Sequence, residues 1–129
     1  MKGEPYPYVV PLSYGFELQN DRNEIRIYIH GAIEGFKNDL LARDNRVCVE
    51  FDIFHRNTLT DMNITTEYES VIGFGKAVLA GGDEAIKGLD LILAHCGFAG
   101  FEYDHAVADV TRVYRVELYE VIGKRWFVK

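Results

Sequence analysis

The sequence has 129 residues and a formal net charge of −6, with 48% hydrophobic and 26% charged residues. This length suits one domain with a single core, and the composition is that of a folded globular protein and not of a disordered chain. The 14 basic residues show no clustered excess that could neutralise a nucleic acid, and no apolar run suits a signal peptide or a membrane span. We therefore expect a single cytoplasmic domain over residues 1–129, without nucleic acid or membrane as a partner.

The first part of the chain reads as a β-hairpin. Residues 6–16 are aromatic and β-branched, which predicts a strand that lies at an edge or carries a bulge at Pro11. Residues 19–23 are polar and contain an Asn-Asp pair, which indicates the hairpin turn. Residues 24–30 alternate between isoleucine and other side chains. We expect the isoleucine face in the core and the other face, which ends at His30, to be free to meet a ligand.

The middle of the chain predicts a short helix between two strands. Residues 36–44 have an amphipathic pattern over about two helical turns, and residues 47–53 alternate as a strand does. Residues 54–66 lose this periodicity, so we expect a long loop of the kind that borders a site or an interface. Alternation returns over residues 68–79, where two glycines would allow the bending that closes a barrel.

The last part of the chain carries the longest predicted helix. Apolar residues at three- and four-residue spacing predict this helix over residues 83–97, and we expect it to cover an open end of a barrel. Residues 98–109 carry no pattern that we assign. Residues 111–122 predict a strand, and Gly123 begins a turn that leads into a closing strand at residues 125–129.

Cysteine, histidine and glycine spacing gives no positive signal for several classes of site. Cys48 and Cys96 lack CxxC spacing, so we expect two reduced thiols buried in apolar surroundings. Gly73 and Gly75 lack the third glycine of a dinucleotide-binding loop, and no Gly-x-Ser-x-Gly elbow is present. No HxxxH or comparable metal-binding spacing occurs among the four histidines, His30, His55, His95 and His105. The sequence therefore predicts no metal site.

The turn after the second predicted strand is suited to an anion. Gly31 and Gly35 allow backbone conformations that a Cβ would obstruct. The first turn of the following helix presents unpaired N–H groups at the positive end of its dipole, and Lys37 adds a full charge. His30 stands next to this turn and titrates near neutrality. The stretch therefore predicts a phosphate site, with a solvated helix lysine at Lys37 as the alternative.

The order and spacing of five motifs resemble the FMN-binding split barrels related to pyridoxamine 5'-phosphate oxidase, and most closely the nitroimidazole-resistance (Nim-type) branch. The motifs are Pro-Tyr-Val-Val-Pro, Tyr-x-His-x-Ala, Gly-x-Lys, Asn-Arg-Val-Cys and Ser-Val-x-x-x-Gly, at residues 7–11, 28–32, 35–37, 45–48 and 70–75. They extend over nearly the whole chain. The resemblance implies a mainly β fold with α: an antiparallel Greek-key split β-barrel with a short helix on the phosphate side and one longer packing helix.

The resemblance also implies FMN as the cofactor, in a cleft between the two subunits of a homodimer. It places the flavin ring beside the first strand, although a proline-tipped edge strand without a ligand is the alternative there. His30 is the candidate catalytic residue: it could donate a proton to a reduced substrate or only hydrogen-bond to the cofactor. The residues implied to bind the cofactor are Val10, Pro11, Leu12, Ser13, His30, Gly31, Ala32, Lys37, Ser70 and Val71.

We therefore expect an FMN-dependent oxidoreductase that passes electrons to a small acceptor, with a nitro-aromatic compound as the example that the family suggests. One alternative is a non-catalytic dimeric protein that stores or senses FMN, haem or a related planar cofactor, and another is an interaction module with an empty cleft. Phe36 stands where the vitamin oxidases have a basic residue, and their C-terminal substrate-binding pattern is not recognisable. We therefore do not expect a vitamin oxidase.

Overall fold

The computed structural model describes residues 1–19 and 24–129. In chain order the elements are β1 (Gly15–Gln19), β2 (Glu24–Ala32), α1 (Phe36–Arg43), β3 (Arg46–Leu59), β4 (Ile64–Ala80), α2 (Gly82–His95), a 3₁₀ helix (His105–Val110) and β5 (Thr111–Trp126). No helix in the described ranges is long and apolar enough to cross a membrane.

The strands form one antiparallel sheet in the order β1-β2-β5-β4-β3. Strands β3, β4 and β5 are neighbours in the sheet. The last of them, β5, lies between β4 and the earlier strand β2, which is the Greek-key arrangement. This topology confirms the predicted fold class, a mainly β fold with α.

Strand β5 belongs to two different parts of the sheet. Residues 111–118 of β5 pair with β2, whereas residues 120–126 pair with β4 alone. Between these parts the β4–β5 register shifts at Phe74 and Gly75, and the pairing skips Tyr119. We call the three-stranded part beyond this bulge, residues 48–59, 64–74 and 120–126, the distal ribbon.

Two hydrophobic clusters occupy opposite faces of the sheet, because successive side chains of a strand point to opposite sides. The first cluster lies under α1 and consists of Ile27, Leu41, Ala77, Tyr114 and Val116. The second lies under α2 and consists of Tyr28, Ala80, Ala85, Ile92 and Val113. The expectation that one face of β2 is free to meet a ligand is therefore wrong for most of the strand, since the Tyr28 side chain is 0% exposed.

Helix α2 packs across β1, β2 and β5. The approach is close because residue 88 is glycine: a Cβ there would lie 2.7 Å from Cδ1 of Tyr28 and 2.9 Å from Cγ1 of Val113. Two ion pairs link the helix to the sheet. Lys87 of α2 pairs with Glu17 of β1 at 2.7 Å, and Glu84 of α2 pairs with Arg115 of β5 at 2.6 Å. The helix therefore covers a sheet face, where the sequence predicted that it would cover a barrel end.

Three predicted boundaries in the β regions are wrong. Residues 6–14 are outside any strand, and β1 begins only at Gly15. The loop predicted for residues 54–66 is instead the paired tip of β3 and β4, with residues 60–63 between the strands. Strand β5 runs straight through Gly123 to Trp126, so the predicted turn does not form. The turn predicted for residues 19–23 lies largely outside the described residues.

The strands at the β3–β4 tip were not predicted, because polar side chains stabilise them and the sequence there lacks apolar alternation. Thr66 donates to Asn57 Oδ1 at 2.8 Å across the two strands, and Thr58 donates to Glu67 Oε2 at 2.9 Å. Polar cross-strand contacts of this kind support a hairpin without apolar alternation.

Both cysteines are exposed, so their expected burial is wrong. Cys48 lies between Val47 and Val49, which pack against the first cluster, and its own side chain therefore points to the other face. Cys96 follows α2 as its C-cap residue.

Candidate functional site

Lys37 bridges the end of β2 and the start of α1. Its Nζ donates to the backbone oxygen of His30 at 3.1 Å. The ammonium lies over Gly31, where a Cβ would be only 2.5 Å from Nζ. Gly31 leaves room for the ammonium in this position, although the flexible Lys37 side chain could shift to admit a Cβ. Gly35, the N-cap residue of α1, has the positive φ of 149° that favours glycine. We call residues 30–37 the cradle.

Asn38 holds the cradle in shape. Its Nδ2 donates to the backbone oxygens of Ala32 at 2.7 Å and Ile33 at 2.9 Å. Its Oδ1 accepts a hydrogen bond of 2.8 Å from the hydroxyl of Tyr114 on β5. Neither Asn38 nor Tyr114 was predicted from the sequence as a site residue. An asparagine in the first turn of a helix, directly after a turn, is the signal that could have found Asn38, because such side chains readily bond to nearby backbone groups.

The cradle carries a positive charge at Lys37 that no carboxylate in the described part of the chain neutralises. Within residues 1–19 and 24–129, no carboxylate lies within ion-pair distance of the Lys37 ammonium. Burial lowers the pKa of Lys37, which shows that this side chain is partly withdrawn from water. The N-terminus of α1 has no side-chain cap at Gly35. An unpaired cation and an uncapped helix N-terminus both attract an anion.

His30 is exposed at the end of β2, beside the cradle. Partial burial is the larger cause that lowers its pKa below the ordinary 6.5, and the charge of Lys37 is the second cause. The imidazole is therefore mainly neutral at pH 7. Because side chains alternate along a strand, the imidazole lies on the face opposite to the Lys37 ammonium.

Four of the predicted flavin neighbours lie in the extended segment before β1, namely Val10, Pro11, Leu12 and Ser13. The pairing of β1 with β2 ends at Gly15, which lies opposite Tyr28, two residues before His30. The ring of Tyr8 contacts the ring of Phe36 at 5.1 Å between centroids, which brings the segment beside the start of α1. Residues 10–13 lie in the chain between these two points, and their role as flavin neighbours stays a prediction.

Ser70 and Val71 lie far from the cradle within one chain. They belong to the distal ribbon, opposite Lys124 and Gly123 of β5. His30 aligns through β5 with Ala80 of β4, and Val71 precedes Ala80 by nine residues. At about 3.3 Å per residue this separation is roughly 30 Å of strand. The predicted site residues therefore form two groups, of which His30, Gly31, Ala32 and Lys37 lie together and Ser70 and Val71 lie apart.

Comparison with known proteins agrees with this architecture. Residues 1–125 match the family described as pyridoxamine 5'-phosphate oxidase. A comparison with curated protein sequences finds no significant match. Among solved structures, a candidate 5-nitroimidazole antibiotic resistance protein from Bacteroides thetaiotaomicron is 30% identical, with a TM-score of 0.80 over 93% of this chain and 69% of that chain.

Two more distant structures share the fold alone. The flavocytochrome Anf3 from Azotobacter vinelandii is 19% identical, with a TM-score of 0.73 over 98% of this chain and 59% of that chain. An FAD-binding protein from Mesorhizobium loti is 16% identical, with a TM-score of 0.61 over 95% of this chain and 77% of that chain. These neighbours confirm the split-barrel fold. With the family match extending over nearly all of the sequence, the chain belongs to the pyridoxamine 5'-phosphate oxidase family.

Proposed function

We propose that this protein binds FMN in the cradle and is an FMN-dependent oxidoreductase. The observation that carries the proposal is the unpaired Lys37 ammonium over Gly31, beside the uncapped start of α1. A terminal phosphate fits this arrangement, because the ammonium and the helix N–H groups are donors that suit its oxygens and its charge. FMN ends in such a phosphate. Two proteins that share the fold are described as a flavocytochrome and an FAD-binding protein, which favours a flavin as the ligand.

The residues around the cradle have distinct roles in this proposal. Lys37 holds the phosphate, and the extended segment at residues 10–13, which forms no strand, offers backbone donors and acceptors to the edge of a flavin ring. The neutral imidazole of His30 can donate one hydrogen bond and accept another. The flavin itself supplies the hydride or electron transfer.

We infer that a second copy of the chain completes the flavin cleft. The distal ribbon exposes large apolar side chains that would be unusual on a monomer, among them Ile53 at 55%, Phe54 at 62%, Ile122 at 53% and Trp126 at 54%. A two-fold dimer buries the same patch on both copies. The distance between the cradle and the ribbon within one chain favours the second copy as the source of the wall formed by Ser70 and Val71.

A nitro-aromatic compound is the electron acceptor that we propose. The candidate 5-nitroimidazole resistance protein, which is 30% identical to this chain, motivates this choice. The absorption spectrum of the freshly purified protein gives the first test, because bound flavin and bound haem absorb at different wavelengths. A Soret band would favour a haem-binding protein, and the absence of any chromophore would favour an interaction module.

Lys37→Ala tests the cradle directly. Removal of this charge-assisted contact should cost about 1.5 to 3 kcal/mol and weaken FMN binding about ten- to hundredfold. Riboflavin, which lacks the phosphate, should bind the variant as it binds the original protein. Fluorescence titration with both flavins measures the difference. Lys76→Ala removes an equal charge at an exposed position outside the cradle and should leave FMN binding unchanged. Equal losses for FMN and riboflavin in Lys37→Ala would place the phosphate elsewhere.

A further inference from the structure

A second positively charged site lies on the other side of α1. A groove of about 710 Å³ opens between the second half of α1 and the adjoining ends of β4 and β5. This volume is within the usual range for small-molecule sites. The groove is lined by two carboxylates, Asp39 and Asp44, and by four cationic side chains, Arg43, Arg46, Lys76 and Arg112. It therefore has an excess of positive charge in a chain whose formal net charge is −6.

Three of the four cations in this groove form no ion pair with any carboxylate that the structure describes. Asp44 is already engaged by Arg46, whose Nε and Nη2 donate to it at 2.9 Å and 2.6 Å. Among the residues for which the structure gives a placement, no carboxylate lies within ion-pair distance of Arg43, Lys76 or Arg112. Three cations thus line one groove in which Asp39 is the only carboxylate not engaged by Arg46.

The backbone of β4 adds a neutral donor to the same groove. Strand β3 begins at Arg46, opposite Lys76, so the end of β4 has a strand neighbour on one side only. The N–H of Ala77 bonds to the backbone oxygen of Asn45 at 2.8 Å on the open side. N–H groups alternate in direction along a strand, so the N–H of Leu79 is directed to that side as well. Leu79 lines the groove.

The groove adjoins the cradle at Ile33, which lines it, but Lys37 lies outside its lining. The hydrogen bond from Tyr114 to Asn38 lies in its lining, whereas His30, Gly31 and Lys37 take no part in that lining. A ligand in the groove would therefore contact α1 without contacting Lys37.

We propose that this groove binds a small molecule with two or more neighbouring negative charges, a phosphate ester or a polycarboxylate. Guanidinium groups bind both kinds of anion with paired hydrogen bonds. Arg43 and Arg112 supply two such groups, and neither forms an ion pair with a carboxylate in residues 1–19 or 24–129. Lys76 adds a compact charge, and Leu79 adds the backbone donor. Binding in the groove requires no flavin.

Isothermal titration calorimetry at low ionic strength tests this proposal on protein saturated with FMN, the proposed ligand of the cradle. Inorganic pyrophosphate is the ligand in one series and citrate in another. We expect one saturable site per chain, with an affinity that falls as salt is added. Lys76→Gln and Arg43→Gln should each weaken binding about tenfold, because each removes one charge-assisted contact. Lys37→Ala should leave this binding unchanged. Circular dichroism shows whether each variant is folded.

The pattern over the variants decides the outcome. Tighter binding of pyrophosphate would support a phosphorylated ligand, and tighter binding of citrate would support a carboxylate ligand. Absence of saturable binding by either anion in the folded protein would overturn the proposal. A loss caused by Lys37→Ala with no loss from Lys76→Gln would also overturn it, since the anion would then occupy the cradle.

Discussion

The charge of the Lys37 ammonium helps to lower the pKa of His30, the residue proposed to transfer a proton. His30 has a lowered pKa, first through partial burial and second through the charge of Lys37. A histidine whose pKa falls on folding stabilises the folded state fully above pH 6.5. That contribution is lost as the pH falls from 6.5 through the lower folded pKa, because the unfolded chain binds the proton more readily.

We expect Lys37→Ala to raise the pKa of His30 part of the way back towards 6.5. The rise should be incomplete, because the larger cause, partial burial, remains. NMR titration of the imidazole C–H signals measures this shift. His55, whose Nε2 lies 3.1 Å from Glu69 Oε2 in the distal ribbon, is the internal control, and its signals should not respond to the substitution. An unchanged pKa at His30 would show that the two charges do not interact.

His30→Phe separates a catalytic role from a contact role. If the imidazole donates a proton during reduction of a nitro compound, the variant should keep its FMN while the rate falls about 10²- to 10⁴-fold. A neutral imidazole is a weak acid, so this role requires that the bound phosphate raise its pKa. Single-turnover reoxidation of the reduced protein by a nitroimidazole, with flavin content measured in parallel, gives the rate. An unchanged rate per bound FMN would remove His30 from the mechanism.

At the scale of elements, the Glu67 carboxylate of β4 links β4 to β3 and to the C-terminal tail. Glu67 is 2% exposed and pairs with Arg56 of β3. It also accepts hydrogen bonds from the hydroxyl of Thr58 at 2.9 Å and from the backbone N–H of Val128 at 2.9 Å. Arg56 is the largest of the causes that lower the pKa of Glu67 from 4.5 to about 2. The stability that Glu67 contributes is therefore present above pH 4.5 and is lost as the pH falls towards 2.

We expect acid to detach the C-terminal tail from the hairpin tip in this pH window. Trp126 is the only tryptophan and pairs with Tyr68 of β4, so its fluorescence reports on this region. Glu67→Gln should be less stable than the original protein at pH 7, and its stability should depend less on pH between 4.5 and 2. Asp61→Asn, at an exposed position in the loop between β3 and β4, is the matched control. An identical acid response in Glu67→Gln and the original protein would contradict this role.

The sequence predicts an element well where one face of it is clearly apolar. Alternation predicted β2 over residues 24–30, and helical spacing predicted α2 over residues 83–97, against observed bounds of Glu24–Ala32 and Gly82–His95. The tip of β3 and β4 could not be found in this way, because Thr66 bonds to Asn57 across the strands and the pattern there is polar.

The candidate site was predictable only where its residues are close in sequence. Gly31 and Lys37 belong to two neighbouring motifs of one short stretch, and the structure places them in contact. Asn38 and Tyr114 are 76 residues apart, and their hydrogen bond exists only because β5 inserts beside β2. The separation of Val71 from the cradle follows from strand register, which no local pattern reveals.

At the scale of the whole molecule, we expect a homodimer at micromolar concentration. The chain mass is 14.7 kDa, so sedimentation velocity should give a species of twice that mass. Ile122→Asp, opposite Ile72 on the distal ribbon, should convert the dimer to a monomer and release the flavin, because it places a charge in an apolar contact. Leu79→Asp, outside the ribbon, should remain dimeric. A monomer that still binds FMN would contradict the shared cleft.

The bulge at Tyr119 marks a position where one residue could be deleted without a change in the strand register around it. Loss of Tyr119 alone would leave its neighbours Leu118 and Glu120 opposite Gly75 and Phe74, as they are now. Loss of a residue within the regular ladder, such as Val116, would turn a run of side chains to the wrong face. A deletion at the bulge would therefore preserve the core, but it would remove the extra twist that a bulge introduces. It would thus change the direction in which the distal ribbon leaves the rest of the sheet. Natural variation of one residue here would alter the orientation of the proposed dimer surface and leave the core of the chain the same.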